Sequence, residues 1–160
     1  MMRAILVVAL TLVPALASGD DSDRDPVVAE ATASERAVLD ELAKEQFVKA
    51  RDDAETILAR DPTSFVATWA MARVQHDEEG NHARALYYLH RAQELLHDRY
   101  GDPASWDEQA LREEFSIDEE MDRRADALAV FDRYEARHGT GPEWLKIWPI
   151  LGLQSSHVRI

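Results

Sequence analysis

The sequence predicts an all-α protein, on three observations. From Val28 onward apolar residues recur at helical spacing, and no stretch shows the sustained alternation or β-branched enrichment of a strand. Thr32 with Glu35 and Ser105 with Glu108 are spaced as capping boxes, in which each side chain satisfies a free backbone donor of a first helical turn. Breakers then divide the pattern: Asp61-Pro62, Gly80-Asn81, Gly101-Asp102-Pro103 and Gly139-Thr140-Gly141-Pro142 each stop one helix and admit the next. Helices are expected at about 31–43, 46–60, 64–78, 81–100, 104–116, 119–138 and 142–152, and joints this short make neighbours antiparallel.

Taken in order, residues 1–17 combine one early cation, Arg3, an apolar run from Ala4 to Val13 and the small-residue pattern Ala15-Leu16-Ala17, the layout of a secretory signal peptide. That run falls short of the roughly 20 residues a spanning helix needs, and Pro14 interrupts it. The expectation is export to a periplasmic or extracellular setting, with no stable membrane insertion after cleavage. Residues 18–29 read as an acidic disordered leader. Its Asp21, Asp23 and Asp25 imitate the opening of a calcium loop, but Pro26 and Thr32 stand where that loop needs glycine and a bidentate glutamate.

Net charge is −13 for the whole chain, and removing residues 1–17 leaves 17 Lys and Arg against 31 Asp and Glu, or −14. Nucleic acid is thereby an unsuitable partner, because affinity for it comes largely from cations neutralising phosphate. Cysteine is absent, which removes disulfide frameworks, thiolate nucleophiles and Cys-based zinc sites together.

The helices repeat in pairs. Ala50-x3-Ala54-x2-Ile57, Ala85-x3-Leu89-x2-Ala92 and Ala127-x3-Phe131-x2-Tyr134 align, with leading alanines offset by 35 and 42 residues. Such periods mark stacked helical arrays. In the middle copy Trp69-x2-Ala72 precedes Gly80-Asn81, Ala85, Leu89 and Ala92, which resembles the tetratricopeptide repeat, W-x2-L-G-x2-Y then A-x3-F then P over about 34 residues. Arg73 replaces that family's glycine and His76 its tyrosine. Trp106 lies 21 residues before Ala127, against 16 between Trp69 and Ala85, so the third pair carries an insertion, which the capping spacing of Ser116 with Glu119 assigns to the start of its second helix.

The resemblance implies antiparallel helix pairs at about 31–60, 64–100 and 104–138 stacked as a short right-handed α-solenoid spanning 30–152. A partial fourth pair, 142–152, carries Trp148-x2-Leu151-Gly152, and an unpaired tail covers 153–160. That ending reads either as a truncated product or as a capping helix.

The resemblance also implies a non-catalytic module whose first helices line a concave groove binding a protein or peptide segment. On this surface fall Arg36, Leu39, Ala67, Ala70, Met71, Val74, Asp77, Glu78, Asp107, Glu108, Leu111 and Glu114, an apolar floor with an acidic rim. It suits a ligand with apolar anchors and positive charge.

Two competing readings are a repeat fragment without independent function and a metal-dependent enzyme. The second draws on His90, Glu94, His97 and Asp98, which share one helix face at i, i+4, i+7 and i+8. Their distance from the Ala85-Leu89-Ala92 stripe makes them a wet outer face. No HExxH spacing, phosphate loop or nucleophile elbow is present, and adjacent pairs such as Glu113-Glu114 point to different azimuths. No enzyme, cofactor or metal-ligand set is predicted.

Overall fold

The computed structural model describes residues 25–139. The expected signal peptide, Asp21 and Asp23 of the calcium pattern, the partial fourth pair and the tail lie outside the described residues. Among the described residues there are seven helices and no strand. No helix there is long and apolar enough to cross a membrane.

A short helix, α1 (Pro26–Glu30), begins where a disordered leader was expected. Asp25 caps it, its Oδ1 accepting from the Val27 amide at 2.9 Å, and proline occupies the first turn, where its missing N–H costs nothing. Val27 is fully buried and joins the core around Phe65, Trp69 and Trp106. Burying Val27, with Val28 packed beside it, orders a segment too short to hold a helix by itself. Ser105 Oγ donates to Asp25 Oδ2 at 3.1 Å, and Arg36 donates to the Ala29 carbonyl at 3.3 Å, so α1 is tied to two other helices.

Three hairpins follow. The first is α2 (Ala33–Ala43) with α3 (Phe47–Leu58), the second α4 (Phe65–Asp77) with α5 (His82–Tyr100), and the third α6 (Ala104–Glu120) with α7 (Arg124–His138). Each helix packs on the next, and α2 also packs on α4.

The three hairpin turns end alike, although the middle one is a residue longer. A residue with positive φ stands in each, Glu45 (56°), Gly80 (60°) and Asp122 (55°), at the same offsets of 35 and 42 residues that separate the leading alanines. The next residue has φ and ψ of −86° and 57° at Gln46, −92° and 76° at Asn81, and −90° and 62° at Arg123. Its amide reaches back to Glu41, Gln75 and Asp118 carbonyls respectively, at 2.8 to 2.9 Å, closing the end of the first helix. Four residues on, Ala50, Ala85 and Ala127 are each fully buried, which lets the second helix lie close on its partner.

Of the three predicted capping boxes, one forms and two do not. Thr32 and Glu35 form the reciprocal box, at 3.2 and 2.8 Å. Ser105 and Glu108 do not: α6 starts after Pro103 with no side-chain cap, and the Ser105 hydroxyl is spent on Asp25. Ser116 and Glu119 form no cap either, because α6 continues unbroken to Glu120. Ile117 and Asp118 are buried there, and packing of that turn carries the helix through. The extra residues of the third pair therefore lengthen its first helix, not its second.

Polar bolts join the elements. The buried Glu35 carboxylate accepts from Ser64 Oγ at 2.6 Å, while Ser64 itself caps α4 by accepting from the Ala67 amide, so one carboxylate links the starts of two first helices. Burial opposes its charge, yet these hydrogen bonds outweigh burial and hold its carboxyl below the usual range. Asp107, also buried, accepts from Arg137 and contacts His138 Nε2 at 2.6 Å, bolting the start of α6 to the end of α7.

Candidate functional site

The residues expected to line a groove are mostly core. Ala67, Ala70 and Met71 pack in one cluster with Val38 of α2 and Ala54 of α3, and Val74 is buried as well. The small side chains at 67 and 70 let α2 settle directly on α4, which closes the apolar floor to any ligand. On α6, Leu111 packs with Ala127, Val130 and Phe131, Asp107 is held by α7, and Glu114 is buried among His90, Gln93 and Arg133. Trp106 turns back onto Trp69, and this sets the azimuth of α6 so that the stripe carried over from it faces α5 and α7. Arg36, Asp77 and Glu78 are exposed, whereas Leu39 and Glu108 are half-buried.

The metal pattern on the outer face of α5 does not converge. His90 contacts Glu114 at 3.2 Å, Glu94 pairs with Arg91 at 2.9 Å and His97 contacts Asp102 at 2.8 Å, so these side chains point to three different places.

A polar site that the sequence did not reveal lies at the joint between the second and third hairpins. It gathers Arg73, His76 and Asp77 from the end of α4, His82 from the first residue of α5, and Glu113 and Glu120 from α6. The turn at Gly80 folds α5 back, bringing the His76 and His82 rings to 5.7 Å between centroids. Glu113 and Glu120, seven residues apart on one straight helix, share a face across from them.

His76 is the hub, with a side chain only 8% exposed. Its Nδ1 contacts Glu113 Oε1 at 2.6 Å and its Nε2 contacts Glu120 Oε1 at 3.2 Å. His82 Nε2 lies 3.7 Å from Glu120 Oε2. Burial disfavours the imidazolium, but the Glu113 hydrogen bond and the charges of Glu113, Glu120 and Asp77 overcome it and push His76 up to about 9. Conversely, burial raises Glu113 but the His76 hydrogen bond and the Arg73 charge hold it below its ordinary value. Burial pushes Asp77 up despite Arg73, which donates to it at 2.6 Å.

The signals for this site were present as departures. Arg73 and His76 are among the positions at which the middle copy departs from the pattern it resembles, and Glu120 sits on the turn added to the third pair. No protein-family model, curated protein or solved structure matches the chain.

Proposed function

We propose that the chain is a non-catalytic interaction module, a short right-handed α-solenoid of the tetratricopeptide type that binds a protein or peptide segment in a periplasmic or extracellular setting. The observation that carries this reading is the repeated turn ending: positive φ at Glu45, Gly80 and Asp122, each followed five residues on by a fully buried alanine. Units that repeat their joint geometry stack with a constant small rotation, and extended binding surfaces are the usual use of such stacks. The direct contact of α2 with α4, and the ring contacts of α4 with α6, support one layer of first helices.

With the apolar floor occupied by core packing, recognition falls to charge. Glu78 and Glu108 offer an acidic rim on that layer, and the chain carries 31 acidic residues against 18 basic ones. The partner is accordingly a segment rich in Lys or Arg, whose attraction is strongest at low salt. Nucleic acid is repelled by the same charge.

Crosslinking of residues 18–160 in a cell-envelope extract tests this. A recurrent partner protein is expected, with capture falling about tenfold, the effect of about 1.4 kcal/mol, in a Glu78→Lys/Glu108→Lys variant of unchanged helicity. Equal capture by that variant rejects the acidic rim as the binding surface.

A further inference from the structure

We propose that His76 Nε2, His82 Nε2 and the Glu120 carboxylate form a site for a divalent transition metal of the zinc class, with Glu113 orienting His76. The three donors all lie within 4.8 Å of one another. On a tetrahedral zinc ion with bonds of about 2.0–2.1 Å, two ligand atoms stand about 3.3–3.4 Å apart. The 3.2 Å from His76 Nε2 to Glu120 Oε1 already has that spacing; the 3.7 Å from His82 Nε2 runs to the other oxygen, Oε2, and rotation of a glutamate that is 50% exposed would bring one oxygen near both nitrogens.

The surroundings of His76 match what a metal-bound imidazole requires. A ligating histidine donates its other ring N–H to a carboxylate or carbonyl, which fixes the tautomer and aims the free nitrogen at the ion. His76 Nδ1 has that partner in Glu113 at 2.6 Å, leaving Nε2 toward Glu120 and His82. Metal binding there displaces one proton from Nε2. His82 Nδ1 is buried with no hydrogen-bond partner among the described residues, so His82, unlike His76, is oriented by packing and not by a second hydrogen bond.

A second grouping, His76 with Asp77 and Glu113, is the weaker candidate. Arg73 lies 2.6 Å from Asp77 and 3.3 Å from Glu113, so a guanidinium already neutralises those carboxylates. The chosen set of two imidazoles and one carboxylate favours zinc-class ions over calcium or magnesium, which prefer oxygen donors alone. Three protein donors leave a fourth position for water or for a partner's side chain. The ligands come from α4, α5 and α6, so the ion would staple the second hairpin to the third.

The experiment titrates tag-free residues 18–160 with Zn2+ in competition with a chromophoric chelator, and follows thermal unfolding with and without the metal. One equivalent is expected to bind at about micromolar Kd or tighter, with Tm raised by about 5 °C or more at saturation. His82→Ala and Glu120→Gln each weaken binding at least about 100-fold and abolish the Tm rise, while Glu113→Gln weakens it about 10- to 100-fold. A His90→Ala/His97→Ala variant binds as the parent does. Should His82→Ala lose helicity, the surface change Glu120→Gln decides alone. Binding unchanged in Glu120→Gln, binding lost in the His90/His97 variant, or no stoichiometric binding by the parent each overturns the site.

Discussion

Replacing Trp106 with alanine is expected to destabilise the protein by about 3–5 kcal/mol, the range for emptying a large buried aromatic site. Trp106 is 4% exposed, and its ring meets Phe65 edge-on at 5.2 Å and Trp69 edge-on at 5.9 Å. These rings join the second hairpin to the third. Where α2 and α4 touch through small residues, α4 and α6 approach less closely and are bridged by aromatic side chains. Trp106 Nε1 is buried without a hydrogen-bond partner among the described residues, so the indole holds its place by ring packing alone. Urea unfolding followed by circular dichroism measures the loss, and Trp69→Ala should match it. A cost under about 1 kcal/mol would show that the third hairpin does not depend on this contact.

Acid should remove a second large contribution, at Glu114. Burial raises its pKa, but hydrogen bonds from His90, Gln93 and Arg133, with the Arg133 charge, prevail and bring it to about 2, from an ordinary value of 4.5. A carboxyl depressed in the folded state adds stability that is fully present above its unfolded pKa and is lost as pH falls through the folded one. The side chain is 7% exposed, so screening is slight, and the shift corresponds to about 3 kcal/mol. Unfolding free energy should therefore fall between about pH 5 and pH 2. Glu114→Gln should be less stable at pH 7 by a similar amount, with the difference from the parent vanishing towards pH 2. A constant difference across that range would mean that the substitution acts through packing and not through the charge.

Much of the helical layout was legible in the residues, because local chemistry set it. Gly80 followed by Asn81 marks the second turn for a direct reason: the left-handed backbone favours glycine, and Asn81 Oδ1 accepts from the Arg84 amide to cap α5. Glu45 and Asp122 hold positive φ without glycine, so no breaker marks those turns, and the third was expected near 117–118 and lies at 121–123. Ala50, Ala85 and Ala127 were recognisable as interhelix positions since only small side chains recur there, and burial bears this out.

What was hidden depended on helix rotation and tertiary packing. Ser116-x2-Glu119 has the spacing of a cap, but Ile117 and Asp118 are drawn into the core and the helix runs on. That α2 covers Ala67, Ala70 and Met71, and that Trp106 faces Trp69, is decided by packing between helices distant in sequence, which no local pattern carries. His76, His82, Glu113 and Glu120 come from three helices, and no short spacing unites them. Only the broken repeat positions at Arg73 and His76, taken together with the added turn before Glu120, pointed to that joint.

The central claim is that neighbouring hairpins bury one another, α4 lying against both α2 and α3 and α6 against α5, with small residues meeting between α2 and α4 and rings meeting between α4 and α6. Solution NMR of residues 18–160 tests it most directly through nuclear Overhauser contacts of the Trp106 indole. Strong cross-peaks from Trp106 to both Trp69 and Phe65 are the expected result, given ring centroids 5.9 and 5.2 Å away. A Trp106 ring showing contacts only within α6 and α7 would contradict the account.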